Sequence, residues 1–198
     1  TFEVSGITFS GNDKMRNKFA IWLDNYNTPA VRRIKIHGCK FTEVHRAVQV
    51  KGYVHGVFYD NILTNTNGSY PQGAGRASFV NDRMKLGSGK GWYIEDNIFS
   101  GTAGLMGSLS GAGNSGGGFV VRYNTATGIA SGGYFAVECH GNQKSGIYGP
   151  QIVEIYGNSI NIQGSSMLHD ARGGKNLVFY NKYLNDDLRD IRVREEYS

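Results

Sequence analysis

The sequence predicts an all-β solenoid of stacked parallel-strand coils, about six or seven of them, on three observations. Two segment types recur at intervals of roughly thirty residues, the apolar positions in each alternate with polar ones, and the second type runs into Asn or Gly. Short alternating strands cannot bury an inner face alone, whereas stacked copies share one core. Composition agrees: glycine accounts for 29 of 198 residues and proline for 3. Val, Ile, Phe and Tyr together dominate the apolar set, as suits strands joined by tight turns.

The first segment type reads Ala20-Ile-Trp-Leu-Asp24, Ala47-Val-Gln-Val-Lys51, Ala77-Ser-Phe-Val-Asn81, Ala136-Val-Glu-Cys-His140 and, more loosely, Ser166-Met-Leu-His-Asp170. The starts lie 27, 30, 59 and 30 residues apart, so a degenerate copy is expected near residue 107. The second type follows each first one, as in Val57-Phe-Tyr-Asp-Asn61-Ile, Tyr93-Ile-Glu-Asp-Asn97-Ile-Phe99 and Val153-Glu-Ile-Tyr-Gly-Asn158-Ser-Ile160. Asn or Gly stands where the chain must turn sharply, and both tolerate left-handed backbone angles. Gly101 to Gly118, with eight glycines, reads as an excursion from the coil, and Asn12 to Lys18 and Asn65 to Gly75 read as polar loops.

The length suits one core rather than two domains, so residues 1–198 are read as a single β-helix domain. No apolar run approaches the ~18 residues needed to cross a bilayer, so no membrane insertion is expected. The net charge of +5 lies wholly before residue 100, with 13 Lys/Arg against 8 Asp/Glu there and 8 against 8 after it. The basic residues are scattered and no zinc-finger or RNA-binding signature occurs, which argues against nucleic acid. Cys39 and Cys139 read as small core residues three or four coils apart, roughly 14–19 Å, too far for the ~7 Å reach of a disulfide. Asp24, Asp82 and Asp170 share no contiguous loop of oxygen ligands, and neither a metal nor another cofactor is expected.

Stretches such as Val153-Glu-Ile-Tyr-Gly-Asn158, Arg172-Gly-Gly-Lys-Asn-Leu-Val-Phe-Tyr-Asn181 and Ile191-Arg-Val-Arg-Glu-Glu196 resemble uncharacterised secreted bacterial β-helix repeat proteins. In repeat style the whole chain is similar to the right-handed parallel β-helix (pectin-lyase-like) superfamily of pectate lyases, polygalacturonases, alginate lyases and phage tailspikes. The resemblance implies a right-handed coil, a polysaccharide partner, acidic glycans included, and an extracellular, cell-surface or virion setting. Polygalacturonases carry Asn-Thr-Asp, Asp-Asp, Gly-His-Gly and Arg-Ile-Lys in that order; here Arg33-Ile-Lys35 stands first, His140-Gly141 later and Asn185-Asp-Asp187 last. The pectate-lyase Arg-Pro-Arg pattern is absent. The resemblance therefore implies a substrate class and leaves the reaction open. Neither end reads as a cap, which suggests a fragment of a longer chain or a unit that stacks on its neighbours.

If the first-type segments share one register, Ile21, Val48, Ser78, Val137 and Met167 point inward with Leu23, Val50, Val80, Cys139 and His169. Outward fall Trp22, Gln49, Phe79, Glu138 and Leu168, with Asp24, Lys51, Asn81, His140 and Asp170 in the next column. A one-residue slip at the last copy would instead turn His169 outward beside Arg172. Aromatic faces beside charged and amide groups suit sugar rings and hydroxyls, making Trp22, Gln49, Lys51, Phe79 and His169 the expected substrate-binding set. Glu138, His140, Asp170 and Arg172 are the candidate catalytic groups. Glu138 and Asp170, one coil apart and displaced by two residues, would hold carboxyls ~8 Å apart, as inverting glycosidases require. A uronate lyase would use Lys51, Arg83 or Arg172 on the sugar carboxylate and His140 or His169 as base. The alternative is a structural shaft, of a fibre or tailspike, whose outward side chains only solvate it.

Overall fold

The computed structural model describes residues 1–11, 19–25, 31–52, 54–66, 71–74, 91–101, 107–110, 118–129, 137–139, 152–163, 167–172, 174–184 and 189–194. Their regular structure is all strand, arranged in three parallel sheets of seven. Sheet A contains β1 (Phe2–Ser5), β4 (Val31–His37), β7 (Val54–Tyr59), β10 (Trp92–Glu95), β13 (Gly118–Arg122), β16 (Ile152–Tyr156) and β19 (Lys175–Phe179). Sheet B contains β2 (Thr8–Ser10), β5 (Lys40–Thr42), β8 (Ile62–Thr64), β11 (Ile98–Ser100), β14 (Thr125–Ile129), β17 (Ser159–Gln163) and β20 (Lys182–Tyr183). Sheet C contains β3 (Phe19–Asn25), β6 (Arg46–Gly52), β9 (Pro71–Ala74), β12 (Gly107–Ser110), β15 (Val137–Cys139), β18 (Met167–Arg172) and β21 (Arg189–Arg194). Each strand pairs with the third strand after it, so a repeat contributes one strand to every sheet. The topology is compatible with a β-helix or other solenoid.

The second segment type supplies a sheet A strand, a corner and a sheet B strand. The inner column of sheet A runs Val4, Ile36, Phe58, Ile94, Val121, Ile155 and Val178. Five residues further on, Phe9, Phe41, Leu63, Phe99, Ala126, Ile160 and Tyr183 form the inner column of sheet B. That interval is the same in all seven repeats. With Val48, Val50 and Val137 of sheet C all of these residues except Tyr183 form one core, in which Phe41, Phe58 and Phe99, together with Trp92, are fully buried. Each such side chain contributes about 1.5–3 kcal/mol by leaving water. Phe9 and Phe41 stack along the column with ring centroids 5.0 Å apart, close to the ~4.8 Å between parallel strands.

The corner between sheets A and B departs from expectation in an informative way. The left-handed residue is not the asparagine but the one before it: Gly6, Gly38, Asp60, Asp96, Tyr123, Gly157 and Tyr180 have φ between 52° and 68°. Asparagine serves a different purpose. The Asn61 Nδ2 donates to Asn97 Oδ1 (3.0 Å), Asn97 to Asn124 (3.0 Å), Asn124 to Asn158 (3.0 Å) and Asn158 to Asn181 (2.8 Å). Every Oδ1 in this ladder also accepts the backbone N–H of the preceding repeat, as Asn97 Oδ1 does from Asn61 N (3.0 Å). Every Nδ2 also donates to a carbonyl of the preceding repeat, Asn97 to Phe58 O for instance (3.0 Å). An amide is the one small side chain with both an acceptor and two donors, so no other residue satisfies this buried site as fully. At the second repeat Cys39 takes the position, a buried free thiol whose N–H donates to Asn61 Oδ1.

Sheet C matches the sequence reading at its start and departs from it later. Ile21, Trp22, Leu23 and Asp24 stand beside Val48, Gln49, Val50 and Lys51, as the shared register requires. The copy expected near residue 107 is β12, so part of the Gly101–Gly118 glycine-rich stretch is strand rather than excursion. The strand that follows β6 is Pro71–Ala74, within the expected Asn65–Gly75 loop, and Gln72 rather than Phe79 stands beside Gln49. Pro71 pairs at the first position of its strand, where a missing N–H is tolerated. The expected strand Ala77–Asn81 and the Asn12–Lys18 loop lie outside the described residues.

The ladder predicts an uneven mutational response. Asn97→Ala strips partners from Asn61 N–H, one Asn61 amide hydrogen and Phe58 O, all buried, and should cost about 3–9 kcal/mol at 1–3 kcal/mol for each orphaned group. Asn181→Ala, part-exposed at the ladder's end, should cost about 1–2 kcal/mol because water replaces the lost partners. Urea unfolding monitored by circular dichroism measures both.

Candidate functional site

The outer column of sheet C is Trp22, Gln49, Gln72, Ser108, Glu138, Asp170 and Arg192. The register at β18 differs by two residues from the expected one, since Val137 stands beside His169 rather than Met167. Glu138 and Asp170 are therefore direct neighbours across β15 and β18, not displaced by two. Parallel strands lie about 4.8 Å apart, so the ~8 Å separation does not follow from this register. Trp22 is exposed, its ring edge-on to Phe19 at 5.7 Å. Gln49 and Asp170 are fully buried, although they lie on the outer face. Both faces of sheet C are thus withdrawn from solvent at Ala47–Val50 and at His169–Ala171. His140 and Phe79 lie outside the described residues, as do the side chains of Lys51, Glu138 and Arg172.

His169 belongs to the interior. It is fully buried in the inner column with Val137; its Nδ1 lies 3.2 Å from Val137 O and its Nε2 2.9 Å from Asn176 Oδ1. Asn176 occupies the corresponding inner column of sheet A beside Val153, so the pair spans the core near its last repeat. The one-residue slip that would turn His169 outward is not adopted: a polar partner across the core satisfies the imidazole where it stands. Burial pushes its pKa below the ordinary value, against the opposing pull of the Asn176 and Val137 hydrogen bonds and of Asp170.

A second set of functional side chains gathers on the outer face of sheet A, where sequence reasoning placed none. One outer column runs Ser5, His37, Tyr59, Glu95, Arg122, Tyr156 and Phe179. His37 stacks on Tyr59 at 4.7 Å, and Tyr156 on Phe179 at 4.7 Å. The corner residues Tyr123 and Tyr180, 52% and 89% exposed, meet Tyr156 and Phe179 edge-on at 5.6 and 5.5 Å. Gly157 leaves room for Tyr123, since a Cβ there would lie 2.7 Å from the ring.

Arg122 binds this aromatic face together. Its Nε donates to Glu95 Oε2 (2.6 Å), its Nη1 to Tyr156 Oη (2.9 Å), and its guanidinium carbon lies 5.1 Å from the Tyr93 ring centre. Burial disfavours the cation, but its hydrogen bonds to Tyr156 and Glu95 and the Glu95 charge outweigh it and raise the pKa. Glu154, one strand over, is pushed upward by burial and drawn back by Arg122. Burial likewise raises the Tyr93 phenol, against the pull of Arg122.

At the other end of sheet A a hollow of about 200 Å³ opens between Arg33, Lys35 and Tyr93, over Gly56 and Gly91. Gly56 is obligatory there, because a Cβ would lie 2.3 Å from Ile34 O. Arg33 sits where the β4–β7 register shifts, with φ of 63°, and such bulges re-aim a side chain. These outer residues alternate with the core positions of the second segment type, and that alternation is the signal by which the sequence could have shown them.

Because burial depresses the folded-state pKa of His169, the unfolded chain binds the proton first, and stability is lost as pH falls below the unfolded value near 6.5. The slope should approach at most about 1.4 kcal/mol per pH unit. His169→Gln should flatten the dependence, as urea unfolding at a series of pH values between neutral and mildly acidic would show.

No protein-family model, no curated protein and no solved structure matches this chain.

Proposed function

We propose that the three sheets wind as a right-handed parallel β-helix of the pectin-lyase-like kind, and that the protein binds polysaccharide outside the cytoplasm, on a cell surface or a virion. The observation that carries this reading is the row of aromatic rings on the outer face of sheet A. Tyr59, Tyr123, Tyr156, Phe179 and Tyr180 stand on an otherwise rigid strand array, with Arg122 and Glu95 between them. Flat rings flanked by fixed polar groups suit sugar faces and hydroxyls. Such a surface loses little conformational freedom on binding because neighbouring rings already hold it. The hollow between Arg33 and Lys35 extends the same face with two cations, which favours glycans bearing carboxylates or sulfates.

A hydrolytic reading is favoured by one observation, the direct pairing of Glu138 with Asp170. Residues paired across parallel strands stand about 4.8 Å apart, nearer the ~5–5.5 Å carboxyl separation of retaining glycosidases than the wider gap of inverting ones.

A panel of acidic and neutral polysaccharides, assayed for binding and for reducing-end release, separates these readings. With a bound glycan, Tyr180→Ala and Tyr123→Ala should each weaken affinity about five- to tenfold, as the loss of a stacking face requires. Trp22→Ala should leave it unchanged; the reverse pattern would move the site to sheet C. If chain cleavage occurs, Glu138→Gln should abolish it while leaving unfolding stability nearly unaltered. A folded protein with no affinity for any member of the panel would instead support a structural shaft.

A further inference from the structure

Arg33 and Lys35, on the outer face of sheet A, are both exposed, and among the described residues neither forms a hydrogen bond or an ion pair. The carboxylates beside the hollow are engaged elsewhere. Glu3, opposite Lys35 in the β1–β4 register, is bonded to His37 Nε2 (2.9 Å). Glu95, on the same strand as Tyr93, accepts from Arg122 Nε (2.6 Å).

Arg33 is also held in an uncommon conformation. Among the described residues it is the only non-glycine one with a positive φ inside a strand, since each of the others follows the last residue of a strand. No corner requires such an angle here. It accompanies the register shift between Val31 and Ile34, and backbone strain kept away from a turn gathers at sites that use the side chain.

The hollow of about 200 Å³ lies between these two cations. Lys35, Val57 and Tyr93 come from successive repeats of one outer column, and Gly56 and Gly91 put bare backbone beside them, joined by a bond from Gly56 N–H to Gly91 O (2.9 Å). The lining is thus apolar in its middle, aromatic at Tyr93 and cationic at Arg33 and Lys35. Its volume is below the ~300 Å³ at which pockets begin to enclose a whole drug-sized ligand, so it takes one ring rather than a length of polymer. Two cations without ion-pair partners call for an anion, and their chemistry narrows which. A guanidinium fork occupies both oxygens of a carboxylate, whereas a sulfate or phosphate ester keeps a third terminal oxygen for the ammonium.

We infer that the hollow binds a sugar ring bearing a sulfate or phosphate ester, with the ester between Arg33 and Lys35 and the ring on Val57 beside Tyr93. That the carrier is a sugar rests on the polysaccharide reading above; the ester site rests on the two cations.

Titrating the isotope-labelled protein with glucose, glucuronate, glucose-6-sulfate and glucose-6-phosphate at one ionic strength, followed by amide chemical shifts, tests this. The two esters should shift the amides of Lys35, Gly56, Val57 and Tyr93 and bind at least about tenfold more tightly than glucuronate or glucose. The tighter ester identifies the source as a sulfated or a phosphorylated glycan. Lys35→Met and Arg33→Gln keep an aliphatic stem and remove the charge, so each should weaken ester binding about tenfold. Lys182→Met, at an exposed position on sheet B, should leave it unchanged. Glucuronate or glucose binding as tightly as the esters, shifts centred elsewhere, or affinity untouched by both sheet A variants would overturn the inference. Esters bound here while no polysaccharide binds would end the polymer reading and keep the hollow; a bound polysaccharide with no ester binding would end the hollow alone.

Discussion

Everything in this structure depends on how a chain of short strands keeps three sheets in register, and the asparagine ladder is the interaction that does so. Apolar columns tolerate sliding: one valine packs on another with little penalty for a small displacement. An amide that accepts from the backbone and amide of the preceding repeat, and donates to that repeat's carbonyl and to the following amide, admits only one position. Water is excluded from Asn61, Asn97, Asn124 and Asn158, so a missed partner cannot be replaced. The four-way bonding converts a loosely specified stack into one with a single register.

The left-handed corner beside the ladder shows the same constraint acting on the backbone. Tyr123 and Tyr180 adopt φ of 58° and 52°, angles that cost a bulky residue of order 1–2 kcal/mol. Glycine would avoid that cost and does so at Gly38 and Gly157. Where tyrosine stands instead, its ring lies on the outer aromatic face, against Tyr156 or Phe179. At these two corners a strained backbone displays side chains on which the binding proposal rests.

Much of the fold was legible in the sequence because apolar alternation and repeat spacing are local signals. The β3–β6 register and the strand at 107 follow from them directly. Three things were not legible. Pro71–Ala74 has neither β-branched residues nor clear alternation, and only its neighbours in sheet C make it a strand. Asparagine after a strand reads as a turn residue, since nothing local distinguishes a backbone preference from a bond to a residue some thirty positions away. His169 was hard to place because its acceptability in the core depends on Asn176, a partner supplied by another sheet. The candidate site suffered most: burial of Gln49 and Asp170 on the outer face of sheet C is a tertiary effect, and strand alternation does not report it.

The constant five-residue step from sheet A to sheet B has a consequence for how this protein can vary. The other two corners are unequal from repeat to repeat: Phe41 to Val48 takes 7 residues and Phe9 to Ile21 takes 12, while Val48 to Gly56 takes 8 and Pro71 to Trp92 takes 21. Length changes are thereby confined to the flanks of sheet C, and the opposite edge works as a spine that no insertion can enter between Asn61 and Asn181 without breaking the amide chain. New loops, and whatever specificity they bring, can be grafted on one side while the rest of the scaffold stays in register.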